Sequence, residues 1–208
     1  MKGKIFMKKV NTFKLTLTAI FTAIIIVMSF TPLGYLKVGV IEITFTTIPV
    51  ALGAMIAGPA VGAFLGFAFG MTSFIQCFGF SAFGAALLGI NPIFTAIVCL
   101  VPRILMGWLT GLIFKGLRSK CSKPLVANFV GGIVAPLLNT LFFMSALILL
   151  FWNTEFIQSL ASGMNILAFV VAFVGINGLI EAVVAAIINI PASRALEKGF
   201  RRYLKDIK

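Results

Sequence analysis

Long apolar runs, parted by short turn-forming or basic segments, set the pattern of this chain. Six of them predict helices: about 13–30, 45–57, 59–77, 92–114, 125–151 and 166–190. Most approach or exceed the roughly 20 apolar residues that cross a bilayer. The short alternating segments of a transmembrane β-barrel are missing. Thr31-Pro32-Leu33-Gly34 ends the first helix, because proline and glycine stop helices. The β-branched stretch from Tyr35 to Thr44 predicts a short extended or hairpin loop on the outer surface. The second helix is short and contains Pro49, and Gly58-Pro59 forms a tight turn before the third. Gly62, Gly66 and Gly70 give the third helix a stripe that lets another helix come close. A loop without charge, 76–91, leads to the fourth helix, PIFTAIVCLVPRILMGWLTGLIF. The fifth is interrupted by Gly131, Gly132 and Pro136, and an outer loop, WNTEFIQSLASGMN, precedes the sixth. No internal repeat is visible.

Composition agrees with this reading. The chain is 61% hydrophobic and 11% charged, with a mean hydropathy of +1.14. The expected fold class is therefore an all-α integral membrane protein, a bundle of six transmembrane helices, with residues 1–208 as a single domain.

Charge sets the topology. Of 17 Lys and Arg, all but Lys37 and Arg103 fall in three clusters. These are the N-terminal arm from Lys2 to Lys14, the loop from Lys115 to Lys123, and the tail from Arg194 to Lys208. Basic segments flanking apolar runs mark the cytoplasmic side, where they also meet anionic lipid headgroups. The net charge of +12 thus points to a bilayer and not to nucleic acid. The N-terminus and the 115–123 loop share one side only if an even number of crossings separates them, so the short second helix must span. Both termini, 1–12 and 192–208, are then basic cytoplasmic ends. The first apolar run is too long for a signal-peptide core and lacks a clear small-x-small site after it.

The catalytic inventory is poor. There is no histidine, no GxxxxGK[ST] loop and no carboxylate cluster for a metal. Cys77, Cys99 and Cys121 have no metal spacing and read as reduced thiols. Neither an enzyme nor a cofactor is expected.

Few polar side chains lie deep in the helices. Arg103 sits midway along the fourth run, where an arginine costs roughly 2.5–3.5 kcal/mol on insertion scales. Asn139 lies near the middle of the fifth helix, and Asn177 and Glu181 lie one turn apart in the sixth. Similar depth on three helices predicts a shared polar pocket. Arg103 and Glu181 could form a buried ion pair braced by the asparagines. Alternatively, Arg103 receives the carboxylate of a small solute, with Glu181 holding it in place or completing the set. On the first helix, Ala19 and Ala23 form an AxxxA pair. It suits close packing if it faces inward and docking of another membrane subunit if it faces outward. Gly107 and Gly111 carry the same ambiguity.

Several stretches resemble one family: AIFTA in the first helix, TFTTIPVALGAMIAGPAVGAFLG, VPRILMG, APLLNT and NGLIEAVVAAIINIP. The chain is similar to the substrate-binding S components of energy-coupling factor (ECF) vitamin transporters, and the last three stretches resemble the pantothenate- and folate-type branch. The resemblance implies a multi-pass protein of the bacterial cytoplasmic membrane that binds one water-soluble vitamin from outside. It also implies a membrane coupling subunit (EcfT) and two cytoplasmic ATPases as partners. Ala19 and Ala23 match the family's AxxxA motif for the coupling subunit, and the 35–44 loop matches its lid over the ligand. The chain lacks the tryptophan-rich pocket of thiamine-type members. Pantothenate is the first expectation, as a small anion that Arg103 could neutralise, and folate the second. The competing readings are a stand-alone carrier, which would take up solute without ATP, and a membrane protein unrelated to transport, which would co-purify with no ATPase.

Overall fold

The computed structural model describes residues 12–199, apart from 33, 39–40 and 121–123, and leaves the side chains at 35–43, 120, 124–127, 176, 177, 179 and 197 undescribed. The expectations for the N-terminal arm from Lys2 to Lys9, for Cys121, and for the tail beyond residue 199 lie outside the described residues. In chain order the elements are α1 (Thr12–Ser29), β1 (Tyr35–Val38), β2 (Ile41–Thr44), α2 (Thr47–Ala57), α3 (Pro59–Gln76), α4 (Ala82–Ile90), α5 (Pro92–Lys120), α6 (Pro124–Phe151), α7 (Glu155–Ala161) and α8 (Ile166–Gly199). The strands pair antiparallel, Tyr35 opposite Thr44 and Val38 opposite Ile41.

Among the described residues, four helices, α1, α3, α5 and α6, are long and apolar enough to cross a membrane. A fifth candidate is α7 with residues 166–175 of α8, bent by 76° at their junction. On α1 only Leu17, Phe21, Ile25 and Ser29 are buried, a single narrow stripe at a four-residue spacing. Most of its other positions are apolar and wholly or partly turned outward, as a lipid solvent permits. Its hydroxyls are satisfied within the helix: Thr18 and Thr22 donate to the carbonyls of Lys14 and Thr18 at 2.7 and 2.8 Å. In contrast, every residue of α2 is buried. A helix apolar on all faces belongs in a core, and α2 occupies the centre of the bundle, against α1, α3, α5, α6 and α8.

The closest helix pair is α3 with α5, and glycine explains it. A Cβ on Gly62 would run into the Gly107 carbonyl, one on Gly66 into the Arg103 carbonyl, and one on Gly111 into Pro59. The two small-residue stripes interlock inside the bundle, which assigns Gly107 and Gly111 to packing.

Prolines inside α5 and α6 leave those helices unbroken. Each removes the N–H that would bond four residues back, and a buried side chain takes up the orphaned carbonyl. Pro102 leaves the Val98 carbonyl, which accepts from Arg103 Nη1 at 2.6 Å. Pro136 leaves the Gly132 carbonyl, which accepts from Asn189 Nδ2 at 3.3 Å. The predicted interruption of the fifth helix is therefore corrected.

Two predicted loops are corrected as well. The 76–91 stretch contains α4, whose N-cap Ser81 accepts the Gly84 N–H at 3.2 Å. The 152–165 stretch contains α7, whose N-cap Thr154 accepts the Ile157 N–H at 3.4 Å. Capping hydroxyls start both helices in segments that read as turn-rich. Around α7 and the start of α8, Phe151, Ile157 and Phe169 form a second apolar core. At the same end of the bundle, Ser29 donates to Thr72 at 2.9 Å and Gln76 Nε2 donates to the Ser29 carbonyl, tying α1 to α3.

Candidate functional site

A cavity of about 130 Å³ lies between these helices, roughly ten times the space one water requires. Its walls come from the end of α3 (Ser73, Gln76, Cys77), from Ser81 and α4 (Phe83, Leu87), from α5 (Val98, Cys99, Arg103), from α6 (Asn139, Phe143, Met144) and from α8 (Phe173, Val174, Glu181). Thr44, the last residue of β2, closes one side.

Arg103 is only 8% exposed. The carbonyl left by Pro102 fixes one end of its guanidinium, and phenyl rings flank it, Phe143 with its centroid at 4.8 Å and Phe69 at 5.5 Å. Such cation–π contacts contribute about 1–2 kcal/mol each when desolvated, so the charge is held without a carboxylate partner among the described residues. Among the described residues its Nε has no hydrogen-bond partner.

Glu181, 6% exposed, does not form the ion pair that its spacing allowed. Its Oε1 accepts the Thr44 N–H at 2.6 Å, joining α8 to the hairpin with a charge-assisted bond. Arg103 remains within electrostatic reach but not in contact. Asn139, also 6% exposed, has an Oδ1 with no partner among the described residues. The Asn177 side chain lies outside the described residues. Thus Arg103, Asn139 and Glu181, far apart in sequence, line one cavity. A buried polar atom without a partner costs about 1–3 kcal/mol. Arg103 and Asn139, the residues that carry these atoms, both line the cavity, and a cationic donor beside a neutral acceptor suits a solute with a carboxylate and an N–H or O–H group.

Ala19 and Ala23 lie elsewhere. Both are exposed, in a shallow groove on the outer face of α1 formed with Leu15, Thr18, Thr22, Ile26 and Phe64 of α3. The inward-packing reading of this pair is corrected.

The cavity also holds residues that sequence reasoning missed. Ser73, Gln76 and Cys77 recur at helical spacing, which signals one face at the end of α3. Phe83 stacks in tilted geometry with Phe156 and Phe173, at 5.7 and 5.6 Å between centroids. It was hidden because its helix read as a loop. Among the described residues, no cluster of three or more His, Cys, Asp or Glu could hold a metal ion.

Comparison with known proteins gives a consistent result. Residues 13–193 match the family described as "ECF transporter, substrate-specific component". The chain is 30% identical over 203 residues to the Pantothenate transporter PanT of Leuconostoc mesenteroides, covering 90% of this chain and 96% of that protein. Its fold is similar to that of ThiT from Listeria monocytogenes, with a TM-score of 0.64 and 19% identity, over 93% of this chain and 97% of that one.

Proposed function

This chain belongs to the family of ECF transporter substrate-specific components, and from that premise we propose that it captures pantothenate for an ATP-driven importer. The family consists of multi-pass membrane proteins that bind a transported solute and are not enzymes. The observation that carries the pantothenate reading is Arg103: a buried guanidinium in the cavity wall, held in place on one side, whose Nε has no hydrogen-bond partner among the described residues. Pantothenate supplies a carboxylate for that group, and its amide N–H and hydroxyls are candidate donors to Asn139 Oδ1. The similarity to the Leuconostoc pantothenate transporter supports the same solute. Glu181 acts in this reading through the hairpin, holding Thr44 over the cavity, and Asn177 completes the polar set from α8. Folate is the second reading, favoured by the phenyl rings of Phe83, Phe143 and Phe173 in the cavity wall.

In the bilayer, α1, α2, α3, α5, α6 and α8 make six crossings, with α2 as a short central one. The hairpin, α4 and α7 then lie outside, and both termini and the 115–123 loop lie inside. The cavity opens in the outer half. The groove at Ala19 and Ala23 receives the coupling subunit EcfT, and two cytoplasmic ATPases drive the reorientation that delivers the solute.

A thermal-shift screen of the purified protein across the B vitamins and their precursors tests the assignment. A ligand at a hundred times its dissociation constant stabilises the folded state by about 2.7 kcal/mol. Pantothenate should give the largest shift. A larger shift with folate selects the second reading, and no shift with either removes both.

A further inference from the structure

Two cysteines meet in the cavity wall, and solute capture as described gives neither a task. Cys77 closes α3, and Cys99 lies one turn before Arg103 on α5. Their Sγ atoms are 3.8 Å apart, both residues are buried, and both are in the reduced state. The backbone enforces this proximity. A Cβ on Gly70, two turns before Cys77 on α3, would sit 2.8 Å from the Cys99 carbonyl oxygen. The two helices are therefore in tight backbone contact at Cys99, as they also are at Gly62 and Gly66. Ser73 links them further: its carbonyl accepts from Cys77 Sγ at 3.4 Å, and its Oγ donates to Cys99 Sγ at 3.9 Å.

We propose that Cys77 and Cys99 form a reversible dithiol–disulfide pair that lowers the cavity's affinity for its carboxylate ligand when a small-molecule disulfide oxidises it. The affinity part rests on the transport reading above, whereas the pairing does not. In the first step one cysteine thiolate attacks a disulfide RSSR, forming a mixed disulfide and releasing RS⁻. The second thiolate then attacks the cysteine sulfur of that mixed disulfide, closing the Cys77–Cys99 bond and releasing the other RS⁻. The two protons from the cysteines end on two RSH, and RSSR takes up the two electrons. Bond formation draws the sulfurs together by roughly 1.8 Å, to the usual S–S length. Cys99 directly follows Val98, whose carbonyl holds Arg103 Nη1. Pulling Cys99 towards α3 therefore disturbs the carbonyl that orients the guanidinium, and it removes two S–H groups from the cavity wall.

The test uses the full chain in detergent with Cys121→Ser, treated with dithiodipyridine. Each chain should release two thiopyridones and retain no adduct, its mass should fall by two hydrogens, and peptide mapping should join Cys77 to Cys99. The Kd for pantothenate should rise about tenfold and return with dithiothreitol. With Cys99→Ser added, no intramolecular bond can close: treatment should release at most one thiopyridone per chain, and mapping should find at most an adduct on Cys77. Separate adducts on the two cysteines would overturn the pairing, and a cross-link that leaves Kd unchanged would overturn the switch. If untreated protein binds no pantothenate, that assignment fails alone: mapping still decides the pair, and the affinity arm is read with the ligand the vitamin screen identifies.

Discussion

At the scale of single residues, the account rests on two buried atoms without partners among the described residues, Arg103 Nε and Asn139 Oδ1. Hydrogen bonds to a charged group contribute about 1.5–3 kcal/mol. Replacing Arg103 by Ala should therefore weaken pantothenate binding by roughly tenfold to a hundredfold, measured by equilibrium binding; unchanged affinity would return the arginine to a purely structural role. Asn139→Leu makes a sharper test, because it separates binding from stability. Removing an unsatisfied buried carbonyl should keep or raise the Tm of the ligand-free protein, while ligand affinity falls a few-fold. A large loss of Tm instead would mean that Asn139 braces the bundle. The depth of Arg103, Asn139 and Glu181 was legible in the sequence, since each interrupts an apolar run near its middle. Their partners were not. Spacing offered Glu181 to Arg103, but it cannot reveal a backbone N–H of a distant hairpin, and that is what Glu181 accepts.

At the scale of elements, the prolines of α5 and α6 are positioning devices and not breaks. Pro102 orphans the Val98 carbonyl, and Arg103 is the group that satisfies it. Pro102→Ala restores an N–H that competes for this carbonyl, so the guanidinium should lose its tether with its charge intact. Ligand affinity should then fall several-fold without loss of expression or Tm, and equal affinity would show that the tether does not orient the arginine. The glycine stripe makes the opposite kind of prediction. Gly66→Val would place side-chain atoms against the Arg103 backbone. Overpacking of this kind costs about 1–3 kcal/mol or more, which should appear as a clear drop in Tm; a stable variant would contradict the interlocked packing of α3 and α5. The long helices and the glycine stripe could be read directly, because bilayer length and small-residue spacing are strong local signals. The helices α4 and α7 could not, because each is short and started by one capping hydroxyl among turn-forming neighbours. The continuity of α6 was equally hidden, since the group that satisfies its proline break lies on α8.

At the scale of the whole molecule, the proposed function assigns separate roles to two surfaces: a cavity within the bundle and an outward groove on α1. Ala19 and Ala23 lie in that groove with no part in the cavity. Bulky residues at both positions should abolish uptake into cells carrying the partner subunits yet leave pantothenate binding to the purified protein intact. Uptake that survives would remove the docking assignment. Sequence alone left the direction of this pair open, because a helix with a single buried stripe and apolar residues all round has no polar face to orient it. The central claim, a carboxylate vitamin held by Arg103, is tested most directly by equilibrium binding of radiolabelled pantothenate to the purified chain and its Arg103→Ala variant. The account predicts saturable binding of one ligand per chain at micromolar concentration or below, weakened at least about tenfold by the substitution. No binding by the unaltered chain, or equal binding by both, would contradict it.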